Sequence, residues 1–174
     1  MTVLAAIGSV VVGGLIYLYP TASWPLLLVG PWLFVRMALN AIDGMLAREH
    51  GQKSALGGVL NELTDVISDA ALYLPFACVA GFGPVLIVVV VFLATLTEMT
   101  GVICVQIGAS RRYDGPFGKS DRAFAFGAMG LIIGLTGSSG AWITWLLAAM
   151  TVLLVLTVLN RARNGLAEAS RRRA

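Results

Sequence analysis

The chain reads as an all-α integral membrane protein of six transmembrane helices with both termini in the cytoplasm, and three observations predict this. Hydrophobic residues fill 58% of its 174 positions and charged residues 12%, with a mean hydropathy of +0.87, well outside the composition of soluble domains. Six apolar runs are close to or above the roughly 20 helical residues that cross a bilayer core. Basic residues recur in every second connection between those runs, as an even number of spans with cytoplasmic ends requires. At this length one domain, residues 1–174, holds them all.

The first span, 2–19, begins almost at Met1 with no basic leading region and no small-residue cleavage site, so it reads as a mature span and not a removed signal peptide. Pro20 and Pro25 bracket the turn before the second span, 25–48, and Pro31 and Pro75 fall inside spans, where each removes a helical hydrogen bond. The third span is 56–80. Pro84 suits the first turn of the fourth, 84–109. The fifth and sixth are 119–136 and 140–160. These runs lack the alternation of barrel strands, and in lipid a backbone satisfied within its own segment is a helix. Cys78 and Cys104 lie within spans and read as small buried hydrophobes. Neither a soluble domain nor an internal repeat is visible, and the matched broken helices of a transporter are missing.

Of the 12 Lys and Arg residues, all but Arg36 lie in the 48–53 turn, the 111–122 connection or the tail from Arg161. The other three connections, Tyr19–Trp24, Ala80–Gly83 and Thr136–Gly140, are uncharged. The net charge of +3 therefore reports orientation in the membrane. It does not point to a nucleic-acid partner, because no basic groove with interleaved aromatics accompanies it. The run Arg171–Arg173 could touch anionic head groups or simply mark the cytoplasmic side.

The most informative stretch is Asn40-Ala-Ile-Asp43-Gly44-Met-Leu-Ala47-Arg48, then eight residues, then Gly57-x3-Asn61-x3-Asp65. Asn40 and Asp43 are i, i+3 on one helix, and Asn61 and Asp65 are i, i+4 on the next, so each pair shares a face. Acidic groups at membrane depth are expensive and mark functional sites by default. A metal ion is the compensation this pattern suggests. The arrangement resembles the signature of the CDP-alcohol phosphatidyltransferase family, D-x2-D-G-x2-A-R-x8-G-x3-D-x3-D. Its acidic positions fall on Asn40, Asp43, Asn61 and Asp65, and Gly44, Ala47, Arg48 and Gly57 match the remainder. Six of the eight fixed positions agree, and both departures are Asp to Asn.

The resemblance implies an enzyme that moves a phosphatidyl or related phospho group from a CDP-linked lipid, such as CDP-diacylglycerol, to a small hydroxyl acceptor, with release of CMP, in phospholipid biosynthesis. It implies Mg2+ or Mn2+ held by Asn40, Asp43, Asn61 and Asp65, with Asp65 also the candidate base. A carboxylate bound tightly to metal is a poor base, so that role asks for loose coordination of Asp65. Gly44, Ala47, Arg48 and Gly57 become nucleotide-binding candidates, although small residues also serve plain helix packing and Arg48 also marks a membrane boundary. Glu62 and Asp69 are auxiliary ligand candidates. A register that uses Asp65 and Asp69 as the last two acids loses Gly57 and the loop length.

Arg111, Arg112, Lys119 and Arg122 surround the loop Tyr113-Asp-Gly-Pro-Phe-Gly118 on the same side as the acidic motif. They read as positive-inside charge or as a pocket for a phosphorylated acceptor, a role the family gives to basic residues here. Arg36, Asp69 and Glu98 lie at similar depth, so an Arg36–Asp69 or Arg36–Glu98 pair would explain three costly residues. Gly130-x3-Gly134 suits close helix packing within the chain or across the homodimer that the resemblance implies. The site would face the cytoplasm of a bacterial inner membrane. His50 reads as a solvated turn residue. The sequence holds no Ser-His-Asp set, phosphate loop or thiolate metal motif. Because two motif aspartates are asparagines, a member that binds CDP-lipid or nucleotide without turnover stands as the alternative. A solute carrier is disfavoured, since the polar residues gather on one side.

Overall fold

The computed structural model describes residues 2–49 and 55–173, without the side chains at 43, 44, 46–49 and 173. Six α-helices and one 3-10 turn account for nearly all of them, and no strand occurs among the described residues. In chain order the helices are α1 Thr2–Leu18, α2 Trp24–Glu49, α3 Ala55–Tyr73, α4 Pro84–Gln106, α5 Lys119–Thr136 and α6 Trp142–Arg173, with the 3-10 turn Leu74–Cys78 after α3. Helices α2, α4 and α6 are long and apolar enough to cross a membrane, and α1 is a shorter apolar helix. Three charged residues each, Glu62, Asp65 and Asp69 in α3 and Lys119, Asp121 and Arg122 in α5, make those two helices less apolar.

Several boundaries differ from the sequence expectation for physical reasons. The third span was expected to run to residue 80, but Pro75 cannot continue the hydrogen-bond ladder of α3, and the chain tightens into the 3-10 turn there. Cys78 closes that turn and is exposed, which corrects its reading as a buried hydrophobe, while Cys104 is buried as expected. Pro31 lies inside α2, which continues through it. The fourth helix stops at Gln106, short of 109. The sixth does not end near residue 160. It continues to Arg173, 32 residues in all, or about 48 Å of helix against an apolar thickness of about 30 Å. The supposed tail is helical, and its first basic residue, Arg161, is buried.

Helix α1 packs on α2 and α3, α2 on α5, and α4 on α6. Small residues make the closest approaches. A Cβ on Gly13 would overlap the Ala71 carbonyl oxygen of α3, and one on Gly130 would lie 2.8 Å from the Leu26 carbonyl oxygen of α2. A Cβ on Gly134 would lie 2.6 Å from the Leu27 side chain. The Gly130-x3-Gly134 face is therefore taken up by α2 of the same chain, and it is not free for a second copy. The outer surface is apolar: Phe34, Phe124 and Trp145 are 75%, 79% and 77% exposed. Patches of this size suit lipid, not water. Charge goes inward instead, with Arg36, Asp69, Glu98, Arg122 and Arg161 all buried.

Candidate functional site

The inward charges form a continuous ladder. Arg36 of α2 donates from Nη1 to Asp69 Oδ1 of α3 at 2.6 Å. The other Asp69 oxygen accepts from Arg122 Nη2 of α5 at 3.1 Å, and that nitrogen also reaches Glu98 Oε1 of α4 at 3.0 Å. Glu98 Oε2 lies 3.2 Å from Arg111 Nη2 and 3.6 Å from Arg161 Nη1. Arg111 in turn grips both oxygens of Glu62 on α3. Of the two pairings expected for Arg36, the structure has the one with Asp69. Glu98 joins through Arg122. Ion pairs this deep keep their geometry because breaking one leaves an uncompensated charge.

Asp65 sits one helical turn before Asp69, at the more open end of the ladder. Its Oδ1 lies 2.6 Å from Lys119 Nζ, 3.3 Å from Asn40 Nδ2 and 3.6 Å from Arg36 Nη2. Arg36 also donates to the Asp65 backbone carbonyl at 3.2 Å. Lys119 is the first residue of α5, and the Gly118 amide just before it is held by the Asp121 carboxylate at 2.7 Å. Beside this group opens a cavity of about 180 Å³, whose walls include Arg36, Asn40, Asp69, Lys119 and Ser120. Asn40 of α2 and Lys119 of α5 thus both line the cavity, and Asp65 of α3 contacts the two of them from beside it.

The remaining sequence candidates spread out from this point. Asn61 is exposed on α3, one turn before Asp65, and Gly57 is exposed at the start of the same helix. Glu62 is held by Arg111, and Asp69 lies between two arginines while lining the same cavity as Asn40. Arg112 donates to Asp114 at 2.7 Å and to Glu168 at 3.1 Å. The side chains of Asp43, Gly44, Ala47 and Arg48 lie outside the described ones, as does the whole of His50.

Sequence reasoning missed the strap that holds the loop between α4 and α5. Asp114 accepts from Arg112, from Asn164 at 2.5 Å and from Asn160 at 3.3 Å. Arg161 donates to the backbone carbonyls of Thr97, Tyr113 and Asp114. Gly115, at φ +141, turns the loop tightly against Thr157, where a side chain would be strained. Partial burial pushes the Asp114 carboxyl up, but hydrogen bonds from Arg112 and Asn164 outweigh it and hold the group below its ordinary value. The spacing of Asn160, Asn164 and Glu168 at i, i+4 and i+8 was the available signal.

The family model for CDP-alcohol phosphatidyltransferase matches residues 1–159 of this chain. The chain belongs to the CDP-alcohol phosphatidyltransferase family. It is also 43% identical over 161 residues to the inner membrane protein YnbA of Escherichia coli (strain K12), a match that covers 92% of this chain and 80% of that protein. Membership in the CDP-alcohol phosphatidyltransferase family implies CDP-alcohol phosphotransfer in phospholipid synthesis, and the family is generally dependent on a divalent metal. Asn40 and Asp65 fit part of an oxygen shell for such an ion, since a half-turn of the amide presents the Asn40 carbonyl oxygen where its nitrogen now lies. Among the described residues no three His, Cys, Asp or Glu side chains converge. The described donors, one carboxylate and one amide, supply only part of a hard cation's oxygen shell.

Proposed function

We propose that this protein is an integral membrane enzyme, a single domain of six spans with both termini cytoplasmic, which transfers a phosphatidyl or related phospho group from a CDP-linked lipid to a hydroxyl acceptor and releases CMP. The observation that carries it is the meeting of Asn40 and Asp65 from separate helices, 3.3 Å apart beside a cavity. The donor's acyl chains lie against the apolar helix faces, and the cytidine diphosphate enters at the cytoplasmic mouth near Gly44, Ala47, Arg48 and Gly57. CDP-diacylglycerol is the donor we favour. The name of the Escherichia coli relative supports a bacterial inner membrane as the location.

In the reaction, Asp65 takes the proton of the acceptor hydroxyl. The acceptor oxygen forms a bond to the lipid-bearing phosphorus, the bond from that phosphorus to the bridging oxygen breaks, and CMP leaves with the electron pair. A bound Mg2+ or Mn2+, held by Asp43 and Asp65 with Asn40 and Asn61 as neutral donors, would offset negative charge on the diphosphate oxygens. Lys119 reaches the same cavity and suits a phosphorylated acceptor. Arg111, Arg112 and Arg122 act there through their field, since each already binds a protein carboxylate. A homodimer is part of this reading, with an interface other than the Gly130 face.

The test is CMP release from CDP-diacylglycerol by the purified protein with Mg2+ or Mn2+, with a pool of polar metabolites offered as acceptors. The unaltered protein is expected to make CMP and a new lipid, and Asp65→Asn to lower the rate by about 100-fold or more. Metal-dependent retention of CDP-lipid with no CMP would instead support a binding protein without turnover, a reading favoured by the two motif asparagines and by the lysine seated on Asp65.

A further inference from the structure

The start of α3, residues 55–61, is exposed throughout, so packing alone does not fix it. Among the described residues, Glu62 carries the ion pair nearest that start. Arg111 grips both Glu62 oxygens, a bidentate arrangement that sets direction as well as distance. Glu62 follows Asn61 directly and precedes Asp65 by three residues, so the grip acts on the helix that carries half of the motif. Arg111 is itself bracketed by α6. Before it, the Ser110 amide and hydroxyl donate to the Glu168 carboxylate at 3.0 and 2.7 Å. After it, Arg112 donates to Glu168 at 3.1 Å. The Arg111 guanidinium carbon lies 4.3 Å from the Tyr113 ring centroid, and Arg161 of α6 holds the Tyr113 carbonyl at 3.3 Å. Helix α4 adds a backbone bond, from the Arg112 amide to the Gly101 carbonyl at 3.2 Å. Glu168 and Arg161 both lie beyond residue 159, where the family match ends.

We infer that Glu168 is a positioning residue of the candidate site. It sets Ser110 and Arg112, these set Arg111, and Arg111 sets the exposed half of α3 with Asn61 and Asp65. Its purpose rests on the phosphotransferase reading, in which Asp65 must stand within reach of an acceptor hydroxyl. The hold is moderate in strength, because Lys119 and Arg36 also tie Asp65 and the Gly101 carbonyl also ties Arg112. What Glu168 adds is direction, from a helix that touches the motif only through the loop's arginine.

The test reads the hold on α3 without turnover. Hydrogen exchange of the amides at 59–65 is followed in the purified full chain in detergent. Glu168→Leu is expected to raise it about fivefold, as the loss of a rim ion pair would, with little change in unfolding temperature. Glu168→Gln keeps partners for the Ser110 amide and hydroxyl, and should hold the rise to about twofold. Glu62→Ala cuts the route, so adding Glu168→Leu to it should change exchange at 59–65 by less than about twofold. Faster exchange confined to 107–118, with α3 unchanged, overturns the inference. An undiminished rise at 59–65 with Glu62→Ala in place also overturns it, because Glu168 would then act by general loosening. Where Glu168→Leu does not fold, Glu168→Gln carries the same comparison, a rise at 59–65 that disappears beside Glu62→Ala. The CMP assay separates the two ideas. Coupled exchange without CMP release leaves the inference standing and removes the reaction, while CMP release with uncoupled exchange does the reverse.

Discussion

The two ends of the helix bundle are held together by opposite means. At one end Arg36, Asp69, Arg122 and Glu98 join four helices through directional charge pairs. From one helical turn beyond these charges toward the other end, Tyr73 stacks on Phe126 with centroids 4.0 Å apart, Phe76 meets Phe126 and Phe82 edge-on, and glycines let backbones touch. Shape does the work there, and several residues share it. The difference teaches where rigidity is needed. A site that must bind charge beside lipid is best oriented by charges whose positions are fixed, because in low dielectric each is anchored by the cost of its own separation. Asp65 belongs to the charged end and borrows its partners from it: Arg36 holds both Asp69 and the Asp65 backbone.

The sharpest way to break this contrast is Asp69→Leu. It takes the shared carboxylate from Arg36 and Arg122, which are 2% and 1% exposed, leaving Arg36 to Asp65 and Arg122 to Glu98, and should cost about 3 kcal/mol, the low end of the range for opening a buried pair from one side. Thermal unfolding in detergent measures it. Asp69→Asn, which keeps the size of the side chain and removes its charge, should lose nearly as much. An Asp69→Asn protein as stable as the unaltered one would sink the claim that pairing, rather than size, holds this end.

The charged end was only half legible in sequence. Periodicity and spacing placed Asn40 and Asp65 on facing helices, and equal depth singled out Arg36 with Asp69, because a lone buried charge in a span demands an explanation. Arg161 was lost among tail residues that look like topology signals, since nothing local distinguishes a buried arginine from an exposed one in a basic run. Its role depends on the carbonyls of Thr97, Tyr113 and Asp114, which are distant in sequence. For the same reason Arg111 looked like a ligand site while its carboxylate, Glu62, lies 49 residues away. The apolar end was visible as hydrophobicity but not as packing: Gly130 could face α2 or another chain, and only the fold decides. Membership in the family is what the fixed motif spacing foretold.

At the apolar end a smaller effect is expected, and it should depend on backbone clearance alone. Gly13→Ala places a methyl group on the Ala71 carbonyl oxygen and should cost about 1–3 kcal/mol through separation of α1 from α3. Gly14→Ala meets nothing within 4 Å and should be neutral or slightly stabilising, as alanine is the better helix former. Comparing the two unfolding temperatures isolates close approach from helix propensity. Equal losses at both positions would mean that the α1–α3 contact is not set by the glycine.

The weakest element is the strap at the rim of the charged end, where Asp114 is partly open to water and its bonds to Arg112, Asn160 and Asn164 compete with solvent. Its carboxyl is held below the ordinary value of 3.8, so the anchoring is complete at any pH above that value and disappears only as pH falls through the lower, folded one. Hydrogen exchange across the loop between α4 and α5, corrected for the intrinsic pH dependence, should therefore be flat from pH 8 down to about 5. Asp114→Asn should raise exchange there by about fivefold or less, in keeping with the small worth of solvent-exposed ion pairs. It should leave the unfolding temperature nearly unchanged, because the ladder behind the loop does not pass through Asp114. A loop that loosens between pH 8 and 6 would show that some other group holds it. A large fall in unfolding temperature would mean that strap and ladder are one unit, and that the charged end reaches the surface without a boundary.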